Sequence, residues 1–240
     1  MKERALFAWS GGKDSAMALY EIQKTQKYEV VALLTTLNEA YDRISMHGVR
    51  RVLLEQQADS IGFPLETVLI SKEATFEEYE SRMQECLEKY LRAGISAVVF
   101  GDIFLEDLRK YREEKLSGIG MKGIFPLWKR DTSELARGFI DSGFEAIITC
   151  VDSMALDKAF TGGIFDEAFL SKLPSAVDPC GENGEFHSFV YDGPIFRKRI
   201  SHSTGEVVVR DNRFYFCDLK PALQDIRMYS ERGEDVSTGF

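Results

Sequence analysis

No two of the four cysteines form a C-x-x-C pair. Cys86, Cys150, Cys180 and Cys217 stand alone, so the sequence offers no zinc ribbon, iron–sulfur motif or redox dithiol. Free, buried thiols in a reducing compartment are the expectation. No apolar run approaches the length of a membrane span. Met1-Lys2-Glu3-Arg4 leads straight into strand-like sequence without the shape of a signal peptide, which predicts a cytoplasmic protein with no membrane contact. Basic clusters are scarce too. The net charge is −9 and the longest basic run is Arg197-Lys198-Arg199, which argues against a large nucleic-acid footprint. No G-x-S-x-G elbow is present, which sets aside a hydrolase triad. Internal repeats and low-complexity segments are absent as well. What remains is 240 residues with 44% hydrophobic content, enough for one good core or two small domains.

The first 150 residues alternate strand-like and helix-like segments, the pattern of a parallel sheet covered on both faces. The expected strands are Ala5–Trp9, Val30–Thr36, Leu65–Ile70, Ala97–Phe100, Gly123–Phe125 and Ala146–Val151, all short apolar runs. Helices are expected from Asp14 to Gln23, from Gly48 to Ile61, from Glu106 to Leu116 and from Ser133 to Ser142. Between them Thr75 and Glu78 form a capping box. Phe76, Tyr79, Met83, Cys86, Leu87 and Tyr90 then recur at helical spacing as a core stripe, with Gly94 closing the helix. After about Val151 the texture changes. Ala155 to Leu173 reads as broken helix, and strands are expected at Phe189–Tyr191, Val207–Arg210 and Arg213–Cys217, the last two joined by a turn at Asp211-Asn212. The stretch from Lys220 is polar and is expected to fray. Two domains follow, 1–152 and 153–240.

Chemistry concentrates in two places. Ser10-Gly11-Gly12-Lys13-Asp14-Ser15 lies directly behind the first strand and opens the first helix. Two glycines let the backbone turn and approach an anion closely, and the helix N-terminus presents free N–H groups. Ser10 and Ser15 add hydroxyls and Lys13 adds charge. This is not the Walker pattern, which needs two glycines five apart before Lys and Ser/Thr. The second place is Val177 to Ser188, which packs Asp178, Glu182 and Glu185 with Asn183 and His187. Clustered carboxylates suit Mg²⁺ or a cationic group, and a histidine can act as acid or base. By composition alone a solvated acidic loop is the favoured reading. Gly101 and Asp102 follow the fourth strand at the edge where open α/β sheets bind ligands, with a helix cap as the plainer role for Asp102. His47, at the start of the second helix, is expected on that same edge. Arg109 and Arg112 follow Asp102, and one could reach an anion. Trp128, after the fifth strand, is a candidate for a ligand pocket or a core plug. His202 has no supporting neighbours and is expected at the surface.

The glycine loop resembles the PP-loop, SGGxDS, of the ATP pyrophosphatases. Together with Glu182-Asn183-Gly184-Glu185-Phe186-His187 and Tyr191-Asp192-Gly193-Pro194-Ile195-Phe196, it resembles the diphthine–ammonia ligase family, over roughly Leu6 to Phe196. That resemblance implies an α/β fold with a parallel sheet of the adenine-nucleotide α-hydrolase (HUP-like) type and a smaller α+β C-terminal domain. It implies ATP and Mg²⁺, adenylation of a carboxylate, and amidation by ammonium with release of AMP and pyrophosphate. The family's acceptor is diphthine on a translation elongation factor. Met46 to Arg50 and Phe100 to Ile103 depart from archaeal and eukaryotic wording and resemble a bacterial-type branch, which leaves the acceptor open between diphthine and a related carboxylate while the ATP chemistry persists. On this reading Ser10, Gly11, Gly12, Lys13, Asp14, Ser15, Gly101 and Asp102 hold ATP, with Asp14 and Asp102 placing Mg²⁺. Asp14, Glu182, Glu185 and His187 are the catalytic candidates, and His47, Arg109, Trp128 and Asn183 the acceptor-binding ones. No glutaminase segment is visible, so free ammonium is the expected nitrogen donor. Two rivals stand beside it, a tRNA-modifying PP-loop enzyme and an ATP or AMP sensor without turnover. A homo-oligomer stays open.

Overall fold

The computed structural model describes residues 2–44, 48–71 and 73–222. The short apolar runs of the first half become a mostly parallel sheet. Its strands are β1 (Glu3–Ala8), β2 (Tyr28–Asn38), β3 (Arg43–Ile44), β4 (Leu65–Ile70), β5 (Ala97–Val99) and β6 (Lys122–Ile124). β1 lies between β2 and β5, β4 flanks β2, and β6 flanks β5, all parallel. The two-residue β3, unforeseen in the sequence, pairs antiparallel with the far end of β2, Leu37 opposite Ile44. The chain therefore builds outward from β1 through β2 to β4, then returns to the other side of β1 for β5 and β6. That reversal opens a crevice at the carboxyl ends of β1 and β5, the place where such sheets take ligands.

Alternation along the strands gives the sheet two apolar faces. Ala5, Phe7, Leu33, Ala97 and Val99 pack under α1 (Lys13–Thr25), α2 (Arg51–Ile61) and α5 (Thr132–Asp141). Leu6, Ala32, Leu34 and Val98 face α3 (Phe76–Arg92) and α4 (Glu106–Gly118). Helix starts follow local chemistry. Thr75 accepts from the Glu78 N–H and Asp131 from the Glu134 N–H, each occupying one of the free donors of a first turn. Gly94 and Gly143 end their helices at φ +80° and +81°.

A second, antiparallel sheet has the order β8 (Phe186–Asp192), β7 (Glu145–Asp152), β10 (Phe214–Pro221), β9 (His202–Arg210). α6 (Glu167–Lys172) follows a short 3₁₀ turn at Lys158–Phe160. The β9–β10 turn puts Asp211 and Asn212 both at positive φ, as a tight hairpin requires. Four expectations are corrected here. Ala146–Val151 is a strand but pairs with β8 and β10, because a buried apolar run does not say which sheet covers it. In the α3 stripe only Leu87 is buried, and Phe76 is 61% exposed. His202 is half-buried against the Tyr191 and Phe189 rings rather than at the surface. Lys220 and Pro221 belong to β10, and the rest of the expected fraying segment, 223–240, lies outside the described residues. Both sheets share one core, in which Phe7 and Leu19 join the same cluster as Ile148, Phe186 and Val190.

Candidate functional site

The glycine loop sits at the crevice. β1 ends at Ala8, Gly11 takes φ +76°, and α1 begins at Lys13. A Cβ on Gly11 would lie 2.7 Å from Gln57 Oε1, so both the φ and the close approach require glycine. The Ser10 hydroxyl accepts from the Gly12 N–H at 3.2 Å and donates to Ser15 Oγ at 3.1 Å, and Ser15 donates to the Gly12 carbonyl at 2.8 Å. Gly101 closes the other side. A Cβ there would be 3.0 Å from the Asp14 backbone, so the turn after β5 touches the start of α1.

Lys13 is buried, 4% exposed. Its ammonium donates to Asp14 Oδ2 at 2.9 Å and to the Cys180 carbonyl, and sits 5.1 Å from the centre of the Phe186 ring. Burial is the largest influence and works against its charge, but Asp14, Cys180 and Glu182 together outweigh it and hold the Lys13 pKa above the usual lysine value. The carboxylates outnumber their cations. Burial pushes the Asp14 pKa up against the pull of Lys13, with Asp178 adding to the rise. Burial also raises Asp102, against Arg112 and helped by Asp14. Glu182 is pushed up to about 7, mainly by burial and by Asp14 and Asp102, against the two backbone N–H groups it accepts, Ile103 at 2.7 Å and Phe104 at 3.3 Å.

These groups line a cavity of about 590 Å³. One end is polar, with Ser10, Gly12, Lys13, Asp14, Ser15, Gly101, Asp102, Glu182, His187 and Ser188. The part between α3 and α4 is largely apolar, with Met83, Leu87, Leu108 and Leu116 over Leu34 and Val98, and it also carries Glu80, Gln84 and Lys115. Arg112 projects into it, 2.9 Å from Asp102 and stacked over Phe100. No three ligating side chains converge into a metal cage among the described residues.

Other expected residues lie elsewhere. Arg109 is paired with Glu113 and stacked on Trp128 and Phe125, and neither Arg109 nor Trp128 lines the cavity. Glu185 is buried, and its carboxylate accepts from the backbone N–H groups of Asp178 and Asn183 and from the Asn183 side chain, so it organises its own loop. Asn183 is exposed and outside the cavity wall. His47 lies outside the described residues. Sequence reasoning missed Gln57. It is fully buried on α2, donates to the Gly11 carbonyl at 3.0 Å and the Val190 carbonyl at 2.6 Å, and accepts from Trp9 Nε1 at 2.9 Å. The signal available was a glutamine inside an apolar helical face, where a polar group needs partners.

The structural pairing of a glycine loop with a second-half carboxylate loop has a counterpart in sequence. The diphthamide synthase N-terminal domain model matches residues 1–123, and the diphthamide synthase C-terminal domain model matches residues 131–223. The chain belongs to the diphthamide synthase family. Relatives named diphthine–ammonia ligase align along most of it. The Rattus norvegicus protein is 27% identical over 260 residues, 96% of each chain. The Danio rerio protein is 26% identical over 252 residues, 95% of this chain and 97% of the relative. The Schizosaccharomyces pombe protein is 27% identical over 249 residues, which cover 92% of this chain and 41% of that longer relative. The family's glycine loop is here the one with φ +76° at Gly11 and the buried Lys13. No helix among the described residues of this family member is long and apolar enough to cross a membrane.

Proposed function

We propose that this member of the diphthamide synthase family is an ATP-dependent amide ligase that adenylates a carboxylate and amidates it with ammonium. The observation that carries the reading is the glycine loop at the β1–β5 crevice, with Lys13 buried beside it and a cavity large enough for a nucleotide opening from it. The polar end takes the phosphates, on loop N–H groups and the N-terminus of α1. The apolar end between α3 and α4 suits the base.

In the chemical step an acceptor carboxylate oxygen attacks the α-phosphorus. The bond from that phosphorus to the bridging oxygen breaks, and pyrophosphate leaves with the electron pair. Ammonia then attacks the acyl carbon, the bond to the AMP oxygen breaks, and an amide and AMP result. Lys13 neutralises charge on the leaving pyrophosphate from its buried position in the cavity wall. Glu182, with a pKa near neutrality, is suited to take the proton that ammonium gives up. Mg²⁺ fits the donor set in the way that cation is usually held, by one or two carboxylates plus substrate phosphates, here Asp14 and Asp102. Bound there, it would offset the burial that raises both pKa values, and at Asp102 the added repulsion from Asp14. The acceptor is the carboxylate of diphthine or a related group, as the relatives' name suggests.

The test is ATP turnover with ammonium and a panel of carboxylate acceptors that includes diphthine-bearing elongation factor. Acceptor-dependent AMP and pyrophosphate are expected. ADP and phosphate would overturn the reading. ATP binding without any product would favour a sensor, and tight binding of bulk tRNA would favour a tRNA-modifying enzyme.

A further inference from the structure

The phosphate loop is not built by the first half of the chain alone. Strand β8 of the second sheet lies against it, and the Val190 N–H donates to the Gly11 carbonyl at 2.9 Å. Gln57 bonds both of those residues' carbonyls, so β8 and the loop are held in one register. Two residues before Val190 on the same strand stands Ser188, 2% exposed and part of the cavity wall. Its Oγ accepts from the Lys13 backbone N–H at 3.2 Å. That N–H is one of the free donors at the start of α1, the kind of group an anion takes. The Gly12 N–H is held in the same way by Ser10 Oγ, also at 3.2 Å. Both bonds are long for N–H to oxygen. Among the described residues no acceptor takes the Ser188 hydroxyl proton, so this buried hydroxyl has a donor to spare beside the loop.

We propose that Ser188 is a ligand of the nucleotide's leaving phosphates, supplied by the second half of the chain. The inference rests on the ATP reading above. Without an anion, Ser188 caps the Lys13 N–H. When a phosphate oxygen takes that N–H, the hydroxyl is released and donates its own proton to the same phosphate. A hydroxyl can make this exchange because it is both donor and acceptor. The phosphate site is then complete only when β8 is in place, which ties nucleotide affinity to the docking of the two sheets.

The test compares Ser188→Thr with Ser188→Val, which share a shape and differ in the hydroxyl. Titration calorimetry in magnesium buffer measures pyrophosphate, ATP and AMP with each protein. Threonine is expected to keep pyrophosphate and ATP affinity within about threefold, and valine to lose about tenfold or more, the usual size of a hydrogen bond to a charged group. AMP affinity is expected to be the same for both. Equal affinities of the two variants for pyrophosphate, or a valine loss as large for AMP as for pyrophosphate, would overturn the proposal. Should both variants fail to fold, Ser188→Ala against the unmodified protein makes the same comparison. If the unmodified protein binds ATP but the hydroxyl makes no difference, this proposal alone fails. If it binds neither ATP nor pyrophosphate, the ATP reading fails with it.

Discussion

The two faces of the first sheet are built differently. On one, α1 buries seven of its 13 residues and α2 seven of its 11, among them the polar Lys13, Ser15, Gln56, Gln57 and Ser60. On the other, α3 buries only Leu87 of 17 residues and α4 only Leu116 of 13. The tight face fixes the glycine loop, through Gln57 below and Lys13 above. The loose face leaves its apolar stripe lining a chamber. An amphipathic stripe is therefore not evidence of a packed core; it can equally wall a space that a ligand fills.

Substitutions should separate the two faces, and the largest effect is expected at Lys13. Lys13→Met removes the buried cation and leaves the half-buried Asp14 without its partner. Breaking a fully buried pair costs about 3–5 kcal/mol, so about 3 kcal/mol is the expected size for this partly exposed one. Urea unfolding should show a loss of that size, and ATP binding should disappear. Gln57→Leu comes next. It strands the Val190 carbonyl and Trp9 Nε1, each a buried group worth about 1–3 kcal/mol when left unpaired. Chemical denaturation should show the loss, and pyrophosphate affinity should fall with it. A mutation on the tight face that left stability untouched would break the contrast.

The loose face should answer the other way. Met83→Trp intrudes into the chamber instead of a packed layer, so unfolding should shift by no more than about 1 kcal/mol. ATP affinity should drop about tenfold or more, read by titration calorimetry. The smallest effect is in pH. Because the Glu182 pKa rises to about 7 on folding, the folded protein keeps a proton that the unfolded chain releases at lower pH. This contribution to stability is present at acid pH and is lost as pH rises through about 7. Unfolding midpoints at about pH 5 and about pH 8 should therefore differ more in the unmodified protein than in Glu182→Gln, and an identical difference would remove Glu182 from that role.

Local events were legible on both faces. Short apolar runs and a double glycine give β1 and the loop on the tight face, and a capping box gives the α3 start on the loose one. What depends on a distant partner was not legible. Ala146–Val151 reads as a strand, yet only its neighbours decide that it belongs to the second sheet. Arg109 and Arg112 look interchangeable on one helix, but Asp102 and Phe100 draw Arg112 into the cavity while Trp128 holds Arg109 outside. Glu185 sits in the right segment, and three local donors turn its carboxylate back on its own loop.

The bond from the Lys13 ammonium to the Cys180 carbonyl also bears on how such proteins can be recombined. The lysine is encoded in the first half, and the oxygen that stands in for its water is encoded in the second. A chimera joined between residues 123 and 131, where the two domain models part, would put one relative's lysine against another's loop. The halves of this chain are a matched set, and grafting a new acceptor side onto an old nucleotide side means carrying the Cys180 turn across unchanged.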